Sequence, residues 1–301
     1  MRARWPVFAA VLLMLFTADA TSAVIPLPRT TTSTTGPDHI VVMVFENKEA
    51  DSIMDRGSSA TYFRSLARRS VMLTRLFAIT HPSLPNYLAL TSGSTHDIHS
   101  DCATCLVDGT NLVDQLELAA IPWKAYMESM PEPCSIAVTD GKYVMKHNPF
   151  MYYTDVRDDA DRCNKVVPLW QLTSDLQAGA LPAFAWITPN VCHDMHDCSI
   201  ATGDRFLRAW APRIVAALAP DGILVILFDE GVTAAGCCHD RAAGGHIAGI
   251  IAGPGAGVGV TIRTKVTQYS VLKLIEEAWG LGDLGETVSA PTIDGWHAGG
   301  V

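Results

Sequence analysis

Positive charge is scarce in this chain. Its 301 residues carry 22 Lys and Arg against 31 Asp and Glu, a net charge of −9. No Lys/Arg cluster offers a stripe to neutralise phosphates, which argues against a nucleic-acid partner. Long apolar runs are also few. The run from Trp5 to Phe16 falls short of the ~20 residues that span a bilayer, and no later run is longer. The C-x-x-C of Cys102 and Cys105 has no second copy, so a zinc knot is disfavoured. There is no G-x-S-x-G and no H-E-x-x-H. The glycine-rich "GPGAGVG", Gly253 to Gly259, lacks the third glycine and the acidic partner of a dinucleotide loop. No internal repeat is present.

What is present begins with an export pattern. Arg2 and Arg4 precede the apolar run, and small residues end at Ala23, as in a secretory signal peptide over 1–23. Residues 24–38, with the Thr/Pro-rich "PLPRTTTSTTGP", read as a disordered leader. Residues 39–301 then form one domain, in a protein that is secreted or held in the periplasm or cell envelope. Eight cysteines, all after residue 100, suit an oxidising compartment. Local disulfides 102–105, 134–163 and 192–198 are open to it. Cys237 and Cys238 either bridge each other or pair elsewhere.

Short β-rich runs alternate with helical patterns. Strands are predicted at 39–46, 71–79, 121–127, 182–188, 222–230 and 246–253, and helices at 61–69, 85–92, 111–119, 168–178, 203–219 and 268–280. Residues 40–45 and 223–228 are apolar throughout, as expected of central strands covered on both faces. The alternation implies an α/β three-layer sandwich with a mostly parallel central sheet. Ligands of such sheets bind beyond the carboxyl ends of the strands. "FEN", "DEG" and "TPNVCHDMHD" follow strands, and "ITHPS" leads into a helix, so four polar stretches are expected at one edge.

Glu46 and Asn47 end the first strand as oxygen donors or as a plain turn. Asp229 and Glu230 end a buried strand, where adjacent carboxylates repel and lose solvent; a cation removes both costs. Ser83, two residues before Pro85, suits a helix N-cap. It equally suits a nucleophile, since the amides of a helix N-terminus also attract a phosphoryl group.

"HPSLPNYLALTSG", "VVMVFENKEAD", "KHNPFMYY", "TPNVCHDMHDCSIATGD" and "ILVILFDEG" together resemble the bacterial phosphoesterase family of the alkaline phosphatase superfamily. That family includes secreted acid phosphatases and phosphatidylcholine-cleaving phospholipases C. The likeness runs from about His39 to about Gly282. It implies an alkaline-phosphatase-like fold and a hydrolase with a phosphoserine intermediate on Ser83. It assigns one divalent metal ion to Glu46, Asn47, Asp229, Glu230 and the Ser83 oxygen. Asn86, His147 and His193 are implied to hold the phosphoryl oxygens. His196, in the His193 loop, and His246, where two-metal relatives carry a zinc ligand, are further candidates. Those relatives have Asp-His where this chain has Asp229-Glu230, which points to a single metal. The implied substrate is a small phosphorylated molecule or a phospholipid headgroup. The alternatives are a phospholipase C or other phosphodiesterase, and a non-catalytic binding protein on the same scaffold.

Overall fold

Uninterrupted apolar runs become the centre of one sheet. The computed structural model describes Met1, residues 36–238 and residues 243–298. The signal peptide and leader therefore lie outside the described residues, apart from Met1 and 36–38, and so does His239. The strands are β1 (Ile40–Phe45), β2 (Val71–Phe77), β3 (Trp123–Met127), β4 (Thr139–Asp140), β5 (Tyr143–Val144), β6 (Val166–Pro168), β7 (Phe184–Thr188), β8 (Ile223–Phe228), β9 (His246–Ala252), β10 (Thr261–Ile262) and β11 (Val266–Thr267). The helices are α1 (Ala50–Met54), α2 (Thr61–Ala67), α3 (Ser83–Ser92), α4 (Leu112–Leu118), α5 (Thr154–Arg157), α6 (Ala160–Cys163), α7 (Trp170–Ala178), α8 (Ile200–Ala217) and α9 (Gln268–Trp279).

Nine strands form one sheet in the order β10-β2-β9-β8-β1-β7-β3-β6, with β11 added beside β2; β4 and β5 make a separate hairpin. β1 pairs in parallel with β8 and β7, and every residue of β1 and β8 is buried. β9 runs antiparallel to both its neighbours. Its first residue, His246, therefore lies at the edge where the other strands end. Helices cover both sides: α2 packs on α8, and α3 on α9. This is the mostly parallel, three-layer α/β arrangement expected from the alternation.

The six predicted strands are all present. The additional strands are two or three residues long, too short to carry a period. α3 starts at Ser83 and not at residue 85, so Pro85 sits in its first turn, where its missing amide costs nothing. Gly93, at φ 68°, ends the helix in the left-handed conformation that glycine tolerates. α8 starts at Ile200, capped by the Ser199 side chain. The cysteine sulfurs pair as 102–105, 134–163, 192–198 and 237–238. No helix of the described residues is long and apolar enough to cross a membrane.

Candidate active site

Two adjacent strands, β1 and β8, end in carboxylates because each apolar run gives way to acidic residues at the same register. Phe45 pairs with Phe228, so Glu46 and Asp229 follow side by side. Both are fully buried. Asn47 turns the chain out of β1 in the left-handed conformation, φ 47°, which asparagine tolerates well. Its backbone N–H donates to Asp229 Oδ1 at 3.0 Å. Its side-chain amide end lies 3.2 Å from Asp229 Oδ1 and 3.0 Å from Glu46 Oε2. Turned one way, the amide NH2 donates to both carboxylates. Turned the other way, its oxygen joins theirs as a donor for a hard cation.

Ser83 is the first residue of α3 and is buried. It is not the cap: Pro82 holds that position, and the amide of Leu84 is capped by Asp101 Oδ1 at 3.0 Å. The Ser83 hydroxyl points instead at acids, 3.2 Å from Glu46 Oε2 and 3.3 Å from Glu230 Oε1. Asn86 serves the approach to Ser83. Its Oδ1 accepts from the amides of Ile79 and Thr80, and its Nδ2 donates to the carbonyls of Thr80 and Pro82. Its amide is thus engaged with the backbone around Ser83.

A third wall comes from two loops. His147 is buried, with Nε2 3.2 Å from Glu46 Oε2 and Nδ1 3.4 Å from Asp194 Oδ2. Neither ring nitrogen makes a well-directed hydrogen bond. Burial, with the charges of Lys146 and His196, holds the ring well below its ordinary pKa, so these are contacts of a neutral imidazole. Asp194 follows β7 in a loop closed by the Cys192–Cys198 disulfide, and its carbonyl accepts from Glu46 N at 2.9 Å. One donor atom from each of Glu46, His147 and Asp194 lies within 4.8 Å of the others.

Burial dominates the electrostatics of this cluster. It raises Glu46 well above the ordinary carboxyl range, with Asp229 and Asp194 adding to the rise. It pushes Asp194 up to about 8 and Glu230 up to about 7, the latter helped by the charge of Asp229. Asp229 is raised by burial as well. Asp229 Oδ2 and Asp194 Oδ2 have no hydrogen-bond partner. Four buried acids that resist ionising together, two partnerless oxygens and a neutral imidazole form a donor set that fits a divalent cation.

The other predicted residues lie further out. His193 Nδ1 meets Glu128 Oε1 at 2.8 Å, and its ring stacks on Phe206. His196 Nδ1 meets Asp197 Oδ1 at 2.7 Å, and its ring centroid lies 5.9 Å from that of His147. His246 is turned toward β2, its Nε2 3.0 Å from the Thr74 carbonyl and its ring against Phe77. It does not join the carboxylates. Glu49 occupies the space between instead, accepting from the amides of Val232, Thr233 and His246. A Cβ at Gly231 would lie 2.4 Å from Glu49 Oε1 and would push that carboxylate off its three amides.

Two further residues touch Glu46 or Glu230: Tyr87, to which the sequence assigns no role, and His81, which the sequence places close to Ser83, either touching the site or only orienting its loop. Tyr87 donates its hydroxyl to Glu46 Oε1 and stacks on His147. Its spacing of four from Ser83 on one helix face was the available signal. His81 meets Glu230 Oε2 through Nδ1 and the Thr233 carbonyl through Nε2 at 3.0 Å. Burial lowers its pKa, but the Thr233 carbonyl, Glu230 and Asp229 together raise it. His147, which the family likeness implies holds phosphoryl oxygens, and Asp194, in the His193 loop, both lie beside Glu46.

Comparison with known proteins agrees with this geometry. The phosphoesterase family model matches residues 55–282. A phosphatidylinositol-3-phosphatase of Mycobacterium tuberculosis is 32% identical over 85% of this chain and 81% of its own. An acid phosphatase of Aspergillus fumigatus is 30% identical over 73% of this chain, which spans only 51% of that protein. Among solved structures, a Vibrio parahaemolyticus protein of the alkaline phosphatase superfamily superposes with a TM-score of 0.57 at 11% identity, over 86% of this chain and 71% of its own. That likeness shows the fold. With most of its length matched, the chain belongs to the phosphoesterase family and is a phosphoric ester hydrolase.

Proposed function

We propose that the chain hydrolyses phosphate monoesters through a phosphoserine on Ser83, and that it works outside the cytoplasm. The observation that carries this is the buried Ser83 hydroxyl set between Glu46 and Glu230 at the N-terminus of α3. Glu46, Asn47, Asp229, Glu230 and the Ser83 oxygen would hold one divalent cation, with His147 and Asp194 as further donors around Glu46. Such an ion, when bound, lowers the pKa of the serine hydroxyl and offsets charge on the phosphoryl oxygens.

The chain's own groups account for the rest. Ser83 Oγ attacks phosphorus as its proton passes to a neighbouring carboxylate, Glu230 Oε1 or Glu46 Oε2. The Ser83 O–P bond forms, the P–O bond to the alcohol breaks, and a proton from a loop histidine, His193 or His196, neutralises the leaving alkoxide. Water then attacks the phosphoserine, its proton restoring the histidine; the Ser83 O–P bond breaks, phosphate is released, and the carboxylate's proton returns to Ser83. Asn86 and Tyr87 orient the nucleophile and Glu46. Fixed geometry and charge supply most of the rate in such transfers.

Both curated relatives are named as phosphatases, which favours monoesters over diesters. A lipid-borne monoester and a small soluble one share the same reacting group. Export is supported by the N-terminal pattern and by four paired cysteine couples, which persist in oxidising compartments. The test is turnover of p-nitrophenyl phosphate, its diester and phosphatidylcholine, with acid quenching during turnover. The monoester should react fastest and leave a phosphoryl adduct on the Ser83 peptide. Faster diester cleavage, or an adduct elsewhere, would refute this reading.

A further inference from the structure

Gln268 is the first residue of α9 and is fully buried. It arrives there by strand pairing. β11 lies parallel to the end of β2, with Val266 opposite Leu76 and Thr267 opposite Phe77. The next residue therefore falls beside the Ala78–Pro82 loop that leads to Ser83. At the other side, β9 stops pairing with β8 at Gly249 and Leu227, so β9 does not extend beside Phe228 and Asp229. The Gln268 side chain spans this gap. Its Oε1 accepts from Ile79 N at 3.2 Å, and its Nε2 donates to the carbonyls of Phe228, at 3.4 Å, and Asp229.

The helix does not need this side chain as a cap, since Thr267 N meets the Ser270 hydroxyl at 3.2 Å. The task needs an amide. One end must accept and the other donate, and a carboxylate would set an oxygen against the Asp229 carbonyl. Ile79 N is shared with Asn86, so the strut is continuous with the clamp around Ser83.

We infer that Gln268 is a positioning residue: its amide ties the nucleophile loop to the strand end bearing Asp229 and Glu230, and so sets the spacing between Ser83 and the acids. This rests on Ser83 being the nucleophile. A misplacement of about 1 Å at such a centre costs on the order of a hundredfold in rate.

The experiment compares Gln268→Met, similar in volume but without the hydrogen-bonding amide, with Lys273→Met. Lys273 sits on the same helix and, among the described residues, donates to the Thr287 carbonyl alone. With p-nitrophenyl phosphate, Gln268→Met should lose at least about thirtyfold in kcat with KM changed less than about threefold. Orthovanadate, which needs the serine oxygen in its transition-state place, should inhibit more weakly by a factor similar to the kcat loss, and inorganic phosphate should change little. Lys273→Met should lower Tm and keep kcat. Wild-type kcat in Gln268→Met, or a loss in which vanadate and phosphate weaken alike, overturns the inference. If that variant does not fold, Gln268→Glu carries the same measurements, and wild-type kcat there overturns it too. A fully active Ser83→Ala would instead sink the nucleophile assignment, whatever Gln268 does.

Discussion

Two acidic clusters in this protein are built on opposite terms. The first joins Asp114, Glu117 and Asp155, and the chain supplies its own cations. Arg162 reaches Asp114 at 2.8 Å and Glu117 at 2.9 Å and also pairs with Asp155, while Lys165 meets Glu117 at 2.7 Å. The second joins Glu46, Asp194, Asp229 and Glu230 and is far more deeply buried. Among the described residues no arginine pairs with it, and its one imidazole contact of raised pKa is His81 on Glu230. Lys48 donates its ammonium to the carbonyls of Asn47 and Met195, not to the acids, and burial lowers its pKa. His147 is neutral. The first cluster is paired with cations of the chain itself. The second offers a donor set that fits a cation from outside, which is the reading proposed for the site.

The contrast can be broken in order of effect. Ser83→Ala should cost at least about a thousandfold in kcat on p-nitrophenyl phosphate with an unchanged circular dichroism spectrum. Activity within tenfold of wild type removes the serine from the reaction.

Next is removal of divalent cations with a chelator. The carboxyl pKa values of the second cluster are raised on folding. The folded form therefore holds more protons than the unfolded chain between the ordinary carboxyl range and about pH 8. Stability of the metal-free protein should accordingly fall as pH rises through that window. Adding back the ion should raise Tm by several degrees at pH 8 and much less at pH 5. A Tm indifferent to both chelator and pH contradicts the cation reading.

Third, Arg162→Met removes the internal cation of the first cluster. It should cost about 1–3 kcal/mol in denaturant unfolding and leave kcat untouched. Equal damage to activity would show that the two clusters are not independent.

The smallest effect belongs to Glu276 on α9, whose pKa burial pushes up to about 7. The shift is again upward, so its stabilising contribution is complete below pH ~4 and is lost as pH climbs toward 7. Glu276→Gln should therefore gain about 1 kcal/mol at pH 8 and nothing at pH 4. A gain that does not depend on pH would mean packing, not charge, is responsible.

The central strands were legible because burial on both faces writes an unbroken apolar run, and the acids at their ends were legible because nothing apolar follows. Ser83, Glu46, Asp229 and Glu230 could be nominated together from that pattern and from the family likeness. Gln268 could not, and Asp194 reads from the sequence only as one polar residue of the His193 loop, as fit for capping as for the site. Their places depend on which strands become neighbours: β7 beside β1 brings Asp194 to Glu46, and β11 beside β2 delivers Gln268. Periodicity carries no record of those pairings. His246 differs for another reason, the direction of its side chain. It stands at the correct edge of the sheet, but its ring turns toward Thr74 while Glu49 fills the intervening space.

The pairing of β1 with β8 has a consequence for how the protein is made. The two halves of the acidic pocket are separated by most of the chain, so a nascent or truncated polypeptide ending before residue 230 owns no pocket at all. Long-range strand docking is slow compared with helix formation. On the proposed reading, ion loading would follow closure of the sheet, and half-made chains would lack the pocket that binds an ion or handles a phosphorylated molecule.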